Sequence, residues 1–162
     1  MQSKKQIVFS NLRPNISVAI KESCTTEDEV VFKIANQVEQ INTESVEPGL
    51  EIVMNLSTII DTSVKDAVRL GCNLSFISQG IVIGAFRSGP IQLEADKTIR
   101  LLVQEIVGAV FNHNGNIKRA VDGLLDGIAI VSKEHNLNVD EAVIIVNECL
   151  AEVLKNYERI DR

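Results

Sequence analysis

The chain has 162 residues, of which 45% are hydrophobic and only 4% aromatic, and its formal net charge at pH 7 is −6. A domain of this size buries about 68–70% of its unfolded surface and can build a core without disulfides or a metal. The acidic balance argues against a general nucleic-acid binder, which needs a basic face. No apolar run is long enough to predict a transmembrane helix, so we expect a globular protein with no nucleic-acid or membrane partner.

The three cysteines, Cys24, Cys72 and Cys149, are scattered along the chain and form no CxxC pair. This pattern is more typical of a reducing compartment than of a disulfide framework. The N-terminus lacks the long apolar segment and small-residue cleavage site of a signal peptide. The sequence therefore predicts a cytoplasmic protein.

Residues 1–24 are expected to form a partly ordered N-terminal arm, and residues 25–162 a single helical domain. Residues 1–21 carry four basic residues and no acid, whereas residues 22–51 carry eight acids and one lysine. This contrast fits either two solvated surfaces of different charge or a basic arm that docks on an acidic helix, in the same chain or in a partner.

Apolar residues at intervals of three and four predict about six helices after the arm. We therefore expect an all-α fold, a compact bundle or orthogonal array. The apolar stripe of the last helix runs from Val139 to Tyr157. The expected helix bounds are about 26–42, 48–71, 73–86, 90–112, 116–135 and 138–157.

Several helix ends carry start or stop signals. Thr26 and Glu29 form a capping box, and Gly71 is a natural helix stop. Asn116 and Asn138 can each cap the helix that follows them.

The segment 73–86 is ambiguous. Leu74, Ile77 and Ile81 have helical spacing, but β-branched residues cluster around a Ser78–Gly80 turn signal, as in a β-hairpin. Helix is favoured because an isolated hairpin is marginal in a helical protein. The alternative fold is α+β with a small hairpin at 73–86.

Two pairs of glycines, Gly80 with Gly84 and Gly123 with Gly127, sit four residues apart on predicted helices. Such pairs let another helix approach closely. They predict helix contacts inside the protein or, alternatively, a dimer seam.

A faint internal similarity links residues 64–68 with 117–121, and residues 80–83 with 127–130. The spacing between the two matches differs by six residues. The hypothesis of a duplication stays open at this point.

The strongest candidate for anion or ligand binding is the loop of Arg87, Ser88 and Gly89, which precedes a helix N-terminus. The simpler interpretation is that Gly89 and the following Pro90 only separate two helices. Cys72 is the candidate reactive thiol, because it follows a helix end and precedes a helix start.

The two histidines, His113 and His135, have no partner at metal-ligand spacing, so no metal site is predicted. We interpret them as surface or capping residues at helix ends. Asp122 and Asp126 lie one turn apart on a face that we expect to be solvated, with Lys118 in reach of Asp122.

No convergent catalytic set, and hence no catalytic residue or cofactor, is predicted. The leading hypothesis is a non-enzymatic interaction or regulatory protein that acts through self-association, as a homo-oligomer, or by docking a protein partner. The alternatives are a helical protein that binds a small apolar ligand or cofactor, and an enzyme whose site is assembled in space from Arg87, His113 or Cys72.

Overall fold

The computed structural model describes residues 27–44, 50–87 and 95–160. No strand occurs in these ranges, so the all-α prediction is confirmed, and the alternative hairpin at 73–86 is wrong because that segment is a helix. The six helices are α1 (Glu27–Glu44), α2 (Leu50–Leu70), α3 (Leu74–Arg87), α4 (Ala95–Asn112), α5 (Ile117–Glu134) and α6 (Val139–Ile160).

The N-terminal arm 1–24, Thr26 of the capping box, Pro90, and the loop residues Ser88 and Gly89 lie outside the described residues. The other predicted end signals are present. Gly71 has a φ of +72° directly after α2. The side-chain oxygen of Asn116 accepts a hydrogen bond from the Arg119 amide at 3.1 Å, and that of Asn138 accepts one from the Glu141 amide at 3.2 Å.

The same turn joins α2 to α3, α4 to α5, and α5 to α6. Each begins with a residue in the left-handed conformation, namely Gly71, Asn114 and Asn136 with φ of 72°, 57° and 54°. The next amide then donates to a carbonyl five residues back, which is the Schellman closure of a helix: Cys72 to Ala67 and Gly115 to Val110 at 2.8 Å, and Leu137 to Ser132 at 2.9 Å. Short turns of this kind make consecutive helices antiparallel.

The helices form two layers, with α1, α3 and α5 in one layer and α2, α4 and α6 in the other. The largest interfaces join α3 to α5 and to α1, and α4 to α6 and to α2. In the described part of the chain, no helix of the first hairpin (α1–α2) contacts a helix of the third (α5–α6). Each hairpin therefore touches only its neighbours, as in α-solenoid proteins.

The second and third hairpins repeat one another at an interval of 43 residues. Asn73, which accepts a hydrogen bond from the Ser75 amide at 3.0 Å, and Asn116 are 43 positions apart, and so are Gly80 and Gly123. The second layer keeps the interval across all three hairpins. Its equivalent buried positions include Leu56, Ile99 and Ala142; Ile60, Val103 and Val146; and Ala67, Val110 and Val153.

This interval differs from the internal similarity seen in the sequence. Residues 64–68 belong to α2 and residues 117–121 to α5. These helices lie in different layers and run in opposite directions, so the two segments are not equivalent. The glycine correspondence was displaced by one helical turn, because the partner of Gly80 is Gly123 and not Gly127.

Helix α3 lies at the centre of the first layer, and ten of its 14 residues are buried. On one side, Gly80 and Gly84 lie against α1. A Cβ added to Gly80 would come within 2.8 Å of the Ile34 Cβ, and one added to Gly84 within 2.5 Å of the Ala35 carbonyl oxygen. The backbone of α3 therefore packs directly on α1.

On its other side, α3 receives the glycines of α5. A Cβ on Gly123 would overlap the Ser75 backbone, and one on Gly127 would come within 2.8 Å of the Val82 Cβ. The same kind of glycine contact thus occurs twice, once between α3 and α1 and once between α5 and α3. These contacts join the three hairpins into one stack.

We predict that Gly123→Ala destabilises the protein by about 2 kcal/mol, although alanine favours a helix by up to about 1 kcal/mol. The added methyl group meets the Ser75 backbone, which can move only if α3 and α5 separate. Chemical denaturation measures the change. Gly108→Ala is the matched control, because its Cβ would meet chiefly the Tyr157 hydroxyl, at 2.7 Å, and this side chain can shift. Equal losses in both variants would contradict the close backbone contact.

We predict that Ser63→Ala stabilises the protein by about 1 kcal/mol. The Ser63 hydroxyl is fully buried and has no hydrogen-bond partner among the described residues. Ser57→Ala on the same helix is the control, and it should cost about 1 kcal/mol, because the Ser57 hydroxyl donates to Glu105 at 2.8 Å. Thermal and urea unfolding give both values. A loss of stability in Ser63→Ala would show that its hydroxyl is satisfied in solution.

Candidate interaction surface

Arg87, the charged member of the predicted anion loop, ends α3 and contacts α5. Its guanidinium lies 3.2 Å from the Glu134 carboxylate, and each of the two side chains is 39% exposed. An anion would have to compete with this carboxylate for the guanidinium donors. In this structure the pair links the second hairpin to the third.

Cys72, the predicted reactive thiol, is disulfide-bonded. A bonded sulfur is neither a nucleophile nor a titrating thiol, so the reactive-thiol hypothesis applies only to the reduced protein. Cys149 is free and buried. Burial raises the pKa of the Cys149 thiol, and Arg100 nearby opposes the shift.

His113 sits at the end of α4, and its Nε2 atom lies 2.8 Å from the Asp61 carboxylate on α2. His135 lies beside the Phe86 ring. Asp122 and Asp126 are exposed on α5. Within the described ranges, no group of three or more His, Cys, Asp or Glu side chains is placed to hold a metal ion, and no helix is long and apolar enough to span a membrane.

The second layer is joined by polar and aromatic side chains. Helix α2 contacts α4 through Ser57 and through Asp61. Helix α4 contacts α6 one interval later in the chain, where Arg100 pairs with Glu148 at 3.5 Å. The ring of Phe111 stacks on Tyr157 with centroids 4.2 Å apart. The same face of successive helices thus binds the next helix of the layer.

That face recurs on α6, where no described helix covers it, because α6 contacts only α4 and α5 in the described part of the chain. Val143 is equivalent to Arg100 and Ser57, and Asn147 is equivalent to Asp61. We call the surface around them the α6 stripe. It consists of Val143, Ile144, Asn147, Leu150, Ala151 and Leu154.

The α6 stripe is uncharged, although α6 carries five acids elsewhere on its surface. Ile144 is 55% exposed, Asn147 and Ala151 are exposed, and the other three side chains are half-buried. The large hydrophobic side chains that are exposed in the described ranges are Phe32, Leu70, Val139 and Ile144. All four belong to the first or the third hairpin, so the exposed apolar surface is concentrated at the ends of the stack.

The sequence alone does not separate the α6 stripe from the core. Val143, Leu150 and Leu154 belong with Cys149 and Val153 to the single apolar stripe that it predicts for 139–157. The signal was the width of that face, because at about 100° per residue helix positions 143, 150 and 154 lie 60° or more around the axis from 149 and 153. One helix therefore carries two apolar faces, of which one is buried and the other is open.

Comparisons with protein-family models, with curated proteins and with solved structures found no match to this chain.

We predict that the protein has one free thiol before reduction and three after it. Cys72 is disulfide-bonded, Cys149 is free, and the sequence contains three cysteines, so one disulfide leaves one thiol.

Thiol titration in denaturant, with and without a reductant, measures both counts, and peptide mapping identifies the bonded pair. In the native protein, the Cys149 thiol should react far more slowly than in denaturant, because it is buried and protonated. Three thiols without reduction would contradict the disulfide at Cys72.

Proposed function

We propose that this protein is a non-enzymatic interaction or regulatory protein, which acts through self-association or by docking a protein partner. The observation that carries the proposal is the α6 stripe. It is an uncharged and partly exposed helix face, at the positions where α2 and α4 bind the next helix of their layer.

The physical argument rests on the cost of exposed apolar surface. Each square ångström of apolar surface that leaves water contributes about 25 cal/mol. A contiguous apolar face on a helix is therefore a ready site for a second helix, which would pack its own apolar side chains against it. The side chains on such a face are already ordered by α6, so binding costs less conformational entropy than ordering a flexible segment would.

The charge of the chain favours a protein partner over nucleic acid. With a net charge of −6, the molecule repels phosphates, whereas the α6 stripe excludes the acids of its own helix. The predicted cytoplasmic location rests only on the sequence. The disulfide at Cys72 argues against it, because structural disulfides are rare in reducing compartments.

Ile144→Glu tests the proposal, with Asn156→Glu as the matched control. Both substitutions place one carboxylate on an exposed position of α6, but only the first lies in the α6 stripe. We expect the wild-type protein and the control to hold the same partner, either a second copy in native mass spectrometry or a protein captured from source cells. Ile144→Glu should lose it, with affinity at least about tenfold lower.

The proposal would be contradicted if the wild-type protein, Ile144→Glu and Asn156→Glu all had the same native mass and captured the same partners. Thermal unfolding of each variant confirms that a lost partner does not reflect a lost fold.

A further inference from the structure

We infer that the α6 stripe is the seam of a twofold dimer, in which α6 packs antiparallel to α6 of a second copy of this chain. The inference rests on the proposed function and names the partner for the same surface. It follows from the spacing, the size and the charge of the residues along the stripe.

The spacing of the stripe suits a helix pair. Val143, Asn147, Leu150 and Leu154 follow one another at intervals of four, three and four residues. This is the a/d spacing by which two helices pack side chains into one another. Ile144 and Ala151 widen the stripe on its exposed side.

A twofold axis beside Asn147 makes the stripe complementary to itself. A side-chain amide is both donor and acceptor, so Asn147 can pair with the partner's Asn147. Ile144 then lies opposite the partner's Leu150 and beside the partner's Ala151, so that apolar side chains meet on both sides of the axis. In the free chain, Ile144 is 55% exposed, and this packing would remove it from water.

The same axis also pairs opposite charges at both ends of the seam. Asp140 and Lys155 are exposed on α6, seven positions before and eight positions after Asn147. In the antiparallel dimer, Asp140 lies beside the partner's Lys155, and the contact occurs twice. A parallel pair would instead place Asp140 beside the partner's Asp140. Opposite charges therefore favour the antiparallel arrangement. A second copy of the chain carries the required Lys155 and Asp140 itself.

Continuity with the existing stack supports a helix as the occupant. Ser57 and Asp61 of α2 hold α4, and Arg100 and Phe111 of α4 hold α6. In α6, the equivalents of Ser57, Asp61 and Phe111 are Val143, Asn147 and Leu154. The two inner interfaces are polar and join unlike helices. The α6 stripe itself carries no charged residue, as suits a contact between two copies of an acidic chain.

A charge-swap series tests the arrangement by analytical ultracentrifugation across a wide concentration range. The wild-type protein should sediment as a dimer. Asp140→Lys and Lys155→Asp should each raise the dimer Kd about tenfold, because each brings like charges together twice. The double variant Asp140→Lys/Lys155→Asp should restore the wild-type Kd. A change that acted only on the fold of the single chain would not be reversed in this way.

Asn147→Asp and Asn156→Asp form a second matched pair on α6. The first places two carboxylates side by side at the axis and should weaken the dimer at neutral pH, with recovery when the carboxylates are protonated. The second should leave the dimer unchanged, because Asn156 lies off the stripe. Thermal unfolding checks that all variants are folded.

A monomeric wild-type protein would overturn the inference. So would a double swap as weak as the single swaps, or an assembly that grows beyond the dimer with concentration. These failures are distinct from failure of the proposed function. A monomer that still loses a captured protein on Ile144→Glu keeps the interaction surface and removes only the second copy as its partner.

Discussion

The structure depends on backbone contact at four glycines. At Gly80 and Gly84, and again at Gly123 and Gly127, a Cβ would meet backbone atoms or a Cβ of the next helix of the layer. Glycine in a helix costs up to about 1 kcal/mol in conformational entropy, and here the cost is offset by close packing that buries most of α3. The second layer instead uses side-chain pairs such as Arg100 with Glu148.

The sequence predicted the helices well because their signals are local. Apolar spacing gave all six, and Gly71, Asn116 and Asn138 marked ends that the structure has. The repeat was not predictable in its correct register, because it rests on a few identical residues, such as Asn73 and Asn116, while the core positions exchange one aliphatic residue for another. Ile60, Val103 and Val146 are equivalent in space, but any aliphatic helix offers similar matches at other spacings. Only the shared turn conformation fixes the interval of 43 residues.

The candidate site was less predictable, since it depends on which residues the fold brings together. Nothing near Arg87 in the sequence indicates a carboxylate, because Glu134 is 47 positions away. The scattered cysteines argued for free thiols, yet Cys72 is disulfide-bonded. For α6, composition alone cannot divide one wide apolar stripe into a core face and an open face. The division needs the position of α4, which covers the side of Cys149 and leaves that of Asn147.

A stack in which each hairpin touches only its neighbours has two ends, and each end exposes a face that the middle of the stack covers. Repeat proteins commonly close such ends with polar residues, which keeps the stack from adding further units. Here the α6 stripe at one end is uncharged, which supports the proposed association. If that end bound the opposite end of another copy, the contact would repeat without limit and give a filament, because the two ends differ. Pairing like ends around a twofold axis uses the same apolar surface and stops at two copies. The proposed self-complementary α6 stripe would therefore reconcile an open apolar end with an assembly of defined size.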